Sequence, residues 1–277
     1  MDLSVIIVSW NVQAKLKENL TSLFQSEGDF KFEVFVVDNA SEDESVLMVE
    51  RDFPRVHLIK NQENLGFSKA NNQAIALAQG HFVLLLNPDM KVQKNTLFNI
   101  LNWSRKNIQA TVTSCQLVDK NKKTIKHVRR FPKLFDQLMI VLKLPHLWPS
   151  LLNSYLLPNF NYSVASKVDS VRGAFFMINR DSYQNISGQK FPFLDERYFV
   201  WFEEVDFCRQ VYNLGGEVWY TPVAVCQDYV GQSFKQLNRR SAQSYFRQSM
   251  LQYFQKWEKP WKKRILSCAW RLVSLFI

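Results

Sequence analysis

Val83 to Leu86 are apolar, and Asn87, Pro88 and Asp89 follow at once. Proline fixes φ and cannot donate to a sheet ladder, so a strand must end near Asn87. Asp89 then stands just past the carboxyl end of a buried strand, on a stiffened turn. Open α/β sheets bind ligands at that edge. Taken alone, a turn or helix-cap role is the simpler account of this aspartate. A second strand-like run, EVFVVDNAS (33–41), also ends in a carboxylate, Asp38. A third acidic group, Glu203, Glu204 and Asp206, crowds the start of WFEEVDFCRQVYNLGG (201–216). Acidic residues in a first helical turn complement the helix dipole, but three carboxylates within four residues exceed what capping needs.

The elements that would position these groups follow from periodicity. LSVIIVS (3–9) reads as a buried parallel strand. Leu16, Leu20, Leu23 and Phe24 recur at helical spacing over 13–25. Ser41 with Glu44 forms a capping-box pattern and predicts a helix from Ser41. Further expected elements are a strand at 56–61, a helix over 67–80 closed by Gly80, and a strand at 81–87. Strand and helix alternate over about the first 115 residues, which predicts a doubly wound, mostly parallel α/β sheet. No G-x-G-x-x-G follows the first strand, so the dinucleotide fingerprint is missing. Residues 134–160 are apolar and broken by prolines, and read as a flap. Residues 168–179 read as a strand, 201–216 as a helix ended by Gly215-Gly216, and 217–227 as strand, turn and strand.

With 277 residues, 47% apolar and 14% aromatic, the chain is globular rather than disordered. Asp2 precedes a short apolar run with no basic start, which is not a signal-peptide pattern, and no stretch reaches bilayer-spanning length. The four cysteines are scattered without a C-x-x-C pair, as in reduced cytosolic chains. The net charge of +10 is uneven. Residues 235–277 carry ten Lys/Arg and one acid, and 119–133 carry seven and one, leaving a mildly acidic body. Such patches suit nucleic acid or an anionic membrane by charge, but no nucleic-acid motif accompanies them. Trp257, Trp261 and Trp270 interleave with the cations of the C-terminal segment, the chemistry of an interfacial helix. A core-packing helix with a solvated face fits the same residues.

Seven motifs occur in order: SVIIVSWN, FVVDNAS, NLGFSKANNQAI, LLLNPD, VRGAFFMI, LDERYFVWFEEVDFCRQ and VWYTPVAV. Together they resemble the GT-A glycosyltransferases of family 2, especially the bacterial rhamnosyltransferase-like members that build polysaccharides. The resemblance covers about residues 3–257. It implies transfer of a sugar from a nucleotide-diphosphate sugar to an acceptor hydroxyl, with inversion in one displacement. By that resemblance Ser9, Trp10 and Asn11 match the nucleotide-binding turn, with Trp10 as a stacking surface for the base. Asp38 and Asn39 match the residues that hold base and ribose. Asn64, Gly66, Phe67 and Asn71 match the loop and helix start beneath the nucleotide, where Lys69 is either a phosphate contact or a solvated cation. Asn87-Pro88-Asp89 stands where the family carries its D-x-D motif, so Asp89 would bind Mg²⁺ or Mn²⁺, with Asn87 at the first position. Glu203-Glu204 matches the family's E-D pair, making Glu204 the base. Gly173, Ala174, Trp201, Glu203 and Asp206 would line the acceptor side, Asp206 in a structural or acceptor-positioning role.

The chain departs from the family after VWYTPVAV, where Gln227 replaces a metal-binding histidine and Asp228 follows. Either Asp228 takes that place, or water does, or the metal binds weakly. The resemblance implies a GT-A catalytic domain over 1–234, with a nucleotide half (1–115) and an acceptor half (116–234), and basic amphipathic helices over 235–277. The expected activity is that of a hexosyltransferase using a dTDP- or UDP-sugar, with rhamnose first by analogy. A cell-envelope or lipid-linked glycan is the expected acceptor. The expected place is the cytoplasm, peripheral at the inner face of the plasma membrane on anionic lipid. No nucleic-acid partner is expected, and a homo-oligomer is compatible with the sequence. Asn87 and Gln227 favour an alternative, a non-catalytic glycan-assembly protein that binds nucleotide sugar without turnover; Asp89 and Glu204 oppose it.

Overall fold

The computed structural model describes residues 1–229 and 238–274. The chain opens with β1 (Leu3–Ser9), α1 (Gln13–Phe24), β2 (Phe32–Asp38), α2 (Ser45–Asp52), β3 (His57–Lys60), α3 (Phe67–Leu77) and β4 (Phe82–Leu86). Next come β5 (Met90–Val92), α4 (Thr96–Lys106), β6 (Ala110–Val118), α5 (Leu134–Val141), α6 (Asn153–Leu156) and β7 (Ser166–Lys167). The chain continues with β8 (Phe175–Asn179), α7 (Arg180–Ser187), α8 (Glu203–Asn213), β9 (Glu217–Asp228), α9 (Arg239–Trp257) and α10 (Pro260–Ser274). Among the described residues the strands form one sheet in the order β3-β2-β1-β4-β8-β6-β9-β5, with β7 on β9.

The period-two alternation of the strands divides two cores. Leu3, Val5 and Ile7 of β1 pack with Leu16 and Leu20 of α1, Met48 of α2 and Ile100 of α4. Ile6, on the opposite face, joins Ala74 of α3, Val205 and Cys208 of α8, and Tyr253 of α9. Helices on both faces bury the central strands β1, β4 and β8 almost completely, which is why they read as continuous apolar runs. Each fully buried Leu or Ile contributes about 1.5–3 kcal/mol.

Several expectations change in detail. β3, β2, β1 and β4 are parallel as expected, but β8 runs antiparallel to both β4 and β6, so the sheet is mixed. The strand expected at 168–179 is regular only over Phe175–Asn179. Residues 217–228 are one strand, whose register against β6 jumps from Cys115↔Thr221 to Gln116↔Val225. The predicted turn is therefore a bulge at Pro222. α2 starts at Ser45, not Ser41, because Ser41 is tied elsewhere: its hydroxyl accepts from Asn11 N and its N–H donates to Asp38 Oδ2. α3 ends before Ala78, and Gly80 serves a close approach instead of a cap. A Cβ there would lie 2.5 Å from Ser4 N.

The C-terminal segment is helical as expected, and α9 follows the core-packing reading of the two the sequence allowed. The expected domain boundary at 234 lies outside the described residues, as do 275–277. α9 is not a surface helix: Met250, Tyr253 and Phe254 are fully buried in the core shared with the sheet and α8. No helix among the described residues is long and apolar enough to cross a membrane.

Candidate active site

The first cleft lies beyond the carboxyl ends of β1, β2 and β4. Its lining brings together Ser9, Trp10, Asn39, Asn64, Gly66, Phe67 and Asn87, seven of the residues picked out by sequence. Local hydrogen bonds explain their convergence. Asn39 N donates to Ser9 O at 2.8 Å, which ties the ends of β1 and β2. The Asn39 amide donates to Asn64 Oδ1 and Gly66 O, both at 3.2 Å. Asn64 Oδ1 in turn accepts from Gly66 N. Gly66 has φ +82°, and a Cβ there would lie 2.5 Å from Phe199 O. Only glycine fits that approach. Phe199 and Val200 close the cleft's far side, a contribution absent from the sequence reading.

Three other residues of the expected nucleotide set stand behind this lining. Asn11, with φ 52°, accepts from Glu42 N at 2.6 Å and so shapes the turn after β1. Asn71 donates to Phe67 O at 2.8 Å. Asp38 is buried, with Oδ2 on Ser41 N; its Oδ1, like Ser9 Oγ and Asn71 Oδ1, is enclosed without a protein partner. Each such atom costs about 1–3 kcal/mol unless a ligand satisfies it.

Asp89 is 2% exposed on the turn after β4. The antiparallel β5–β9 pair sets Met90 opposite Asp228, and Tyr229 N donates to Asp89 O at 3.1 Å. A second buried carboxylate, Asp228, is thus brought to the same turn, with its side chain 2.9 Å from Arg172 Nη1. Gln227 alternates away, opposite Lys91. Hard oxygen donors at this edge suit a divalent cation. Among the described residues no group of three or more His, Cys, Asp or Glu gathers for a metal, so this chain's carboxylates would supply only part of an oxygen shell.

A second cleft lies across the 199–202 turn. It is lined by Trp201, Glu204, Arg129, Arg172, Gln137, His127 and Tyr155, among others. Trp201 and Phe202 have φ of 64° and 69°, a left-handed conformation costing about 1–3 kcal/mol per residue. α9 holds this turn: Ser249 Oγ donates to Val200 O at 2.8 Å, and Phe246 and Tyr253 pack on Phe202. The turn starts α8 so that Glu204 faces the cleft. Gly173 lies beside it, where a Cβ would sit 3.5 Å from Glu204 Cβ, an ordinary van der Waals contact. Ala174 accepts from Asn87 N at 3.0 Å and so links β8 to the Asn87 turn.

The acids at the start of α8 have separate surroundings. Glu204 Oε2 is enclosed without a protein partner. Burial pushes its carboxyl above the usual glutamate range, while Arg129 and Arg172 pull it back. Glu203 is buried outside the cleft lining, and burial with the adjacent Glu204 pushes it well above that range. Asp206 lies outside the lining as well, and its contacts are those of the structural role among the two expected for it. Its carboxylate accepts from Tyr198 OH at 3.0 Å, Lys256 Nζ at 2.6 Å and Trp257 Nε1 at 2.7 Å. Those bonds anchor α9 to α8.

The sequence reading missed Arg129, Arg172, His127, Gln137 and Tyr155. Two signals were present. Arg172 lies inside the quoted VRG motif, and His127 and Arg129 lie inside the basic stretch 119–133, which composition alone assigned to an outside partner.

The sheet order, with a cleft and a carboxylate turn at the strand ends, is that of an α/β protein that binds ligand at the carboxyl edge of its sheet. The family model described as glycosyl transferase family 2 matches residues 4–186, and the chain belongs to that family. The rhamnosyltransferase WbbL of Escherichia coli is 24% identical over 228 residues, covering 79% of this chain and 80% of WbbL. The uncharacterised glycosyltransferase YfnE of Bacillus subtilis is 39% identical over 98 residues, 34% of this chain and only 25% of YfnE. Among solved structures, the mannosyltransferase PcManGT from Pyrobaculum calidifontis, in complex with GDP-Man and Mn²⁺, superposes with a TM-score of 0.59 at 18% identity. That superposition covers 98% of this chain and 69% of PcManGT. The fold is GT-A, and the chain is a glycosyltransferase.

Proposed function

We propose that the chain is an inverting hexosyltransferase that moves a sugar from a nucleotide-diphosphate sugar to a hydroxyl of a cell-envelope or lipid-linked glycan. The observation that carries this reading is the enclosed, unpartnered Glu204 Oε2 in a cleft that shares the 199–202 turn as a wall with the Asn39–Gly66 cleft. The first cleft takes the nucleotide: Trp10 offers a face for the base, and Asp38 and Asn39 its polar edge. Glu204 takes the proton of the acceptor hydroxyl. The oxygen attacks the anomeric carbon as the bond to the diphosphate breaks, so the sugar inverts and the nucleotide diphosphate leaves. Asp89, with Asp228 opposite the adjacent Met90, would hold Mg²⁺ or Mn²⁺, which would neutralise charge on the leaving diphosphate. The rhamnosyl activity named for WbbL makes dTDP-rhamnose the first donor to try, with UDP-sugars next.

Docking on an anionic membrane at the cytoplasmic face belongs to the same proposal, but through α10 alone. Trp261, Ile265 and Leu272 are 49%, 41% and 60% exposed, and at about 100° per residue they share one helical face. Exposed Arg264 and Arg271 flank that face, as in interfacial helices.

Differential scanning with dTDP-, UDP- and GDP-sugars, with and without Mn²⁺, tests the donor assignment, since a ligand of the native state raises Tm. A cation-dependent rise that disappears in Asp89→Ala is expected. No rise with any nucleotide sugar would sink the reading, and an undiminished rise in Asp89→Ala would remove Asp89 from the metal site.

A further inference from the structure

The cleft beside Glu204 holds an unusual set of polar groups. Gln137 is 1% exposed, and neither Nε2 nor Oε1 of its amide has a protein partner. It sits in the first turn of α5, whose start is fixed by Lys133 N donating to Asp136 Oδ2 at 2.9 Å. The backbone that carries the amide is therefore fixed by the helix. His127, 1% exposed, has Nε2 3.1 Å from Cys115 O. A carbonyl accepts only, so Nε2 carries the proton and Nδ1 is left as a bare acceptor. Nδ1 too is buried without a protein partner. Burial, with Arg172 and Arg129 close by, pulls this imidazole down to about 3, so it stays neutral.

Two cations complete the lining. Arg129 is placed by a reciprocal backbone pair with Ser170, each N–H donating to the other's carbonyl at 3.1 Å. Its guanidinium lies 5.9 Å from the centre of the Tyr155 ring and acts on Glu204. Arg172 approaches from the strand side, braced by Asp228. Buried amide and imidazole atoms without partners are costly unless a ligand supplies the hydrogen bonds. Guanidinium groups are suited to oxyanions.

We propose that this cleft binds an acceptor carrying an anionic oxygen group, phosphate or carboxylate, on Arg129 and Arg172, with a neighbouring hydroxyl seated on the Gln137 amide and His127 Nδ1. The inference rests on the reading of Glu204 as the base and adds the substrate class of its cleft. The anionic group would fix the acceptor's register, so that a free hydroxyl meets Glu204. Arg129 and Gln137 are then specificity-determining residues for the acceptor.

Isothermal titration of the full chain with sn-glycerol 3-phosphate, D-glucuronate and glycerol tests this. At least one anionic probe should bind in preference to glycerol, and the tighter of the two names the group as phosphate or carboxylate. Arg129→Gln should weaken that binding by about 10- to 100-fold while leaving the Tm rise with nucleotide sugar intact. Gln137→Leu should weaken probe binding yet raise Tm, because two unsatisfied buried atoms are removed. A merely structural amide would lower Tm on the same change. An affinity indifferent to Arg129→Gln, or no preference for either anion, overturns the proposal. The two readings fail separately, since the first is read from nucleotide-sugar stabilisation and the second from probe affinity.

Discussion

The Lys256 ammonium lies 2.6 Å from Asp206 Oδ2, joining α9 to α8 across 50 residues of sequence. Asp206 is 1% exposed, and the Lys256 side chain is 23% exposed. α9 in turn holds the strained Trp201-Phe202 turn from which Glu204 projects. α9, whose sequence fits either a membrane surface or a core, is part of the frame of the candidate site.

Removing one partner of a buried ion pair leaves an uncompensated charge. Lys256→Met should therefore lower stability by about 3–5 kcal/mol, read as a fall in the midpoint of urea unfolding. Wild-type stability in the variant would mean that the pair does not hold α9.

Glu204→Gln keeps the shape of the side chain and removes the proposed base. Its kcat should fall by roughly 10²–10⁴ with nucleotide-sugar binding retained, and Glu203→Gln should be milder. A base must be ionised to act, and burial raises the Glu204 carboxyl despite Arg129 and Arg172. The acid limb of kcat/KM should accordingly lie above the ordinary glutamate value of 4.5. The stability effect has the opposite sign. A carboxyl raised on folding favours the folded state below its unfolded pKa, and that contribution is lost as pH rises through the folded value. Burial and Glu204 raise Glu203 most clearly, so Glu203→Gln should stabilise the chain near neutral pH and flatten its loss of stability above pH 4.5. A variant less stable than wild type at pH 7 would contradict this sign.

Docking through α10 predicts co-sedimentation with anionic vesicles that weakens as salt rises, since each Lys or Arg near such a surface contributes about 1 kcal/mol. Trp261→Ala combined with Leu272→Ser should weaken it further without changing nucleotide-sugar stabilisation. A full-length chain that ignores vesicles at low salt would assign the exposed face another role.

By itself the sequence determined the parallel half of the sheet and named most of the residues that line the first cleft. Those residues sit at strand ends and on short loops, where apolar periodicity, proline and glycine fix the backbone locally, and the order of motifs points to the family. Asn39, Asn64 and Gly66 were legible through the family resemblance; the Asn39 bonds span 25 and 27 residues of chain, whereas the tight fit of Gly66 against Phe199 appears only in the folded chain. Only the tertiary structure decided the second cleft. Arg129 reaches it through a bridge to Ser170, Gln137 through a helix in an irregular flap, and Arg172 through an ion pair with Asp228, 56 residues away. The same holds for α9. Its cations and aromatics look alike whether they face lipid or a buried aspartate, because composition fixes charge and hydrophobicity but not their partners. Packing against Phe202 and the bonds to Asp206 chose between the two, and such contacts exist only once distant parts of the chain have folded together.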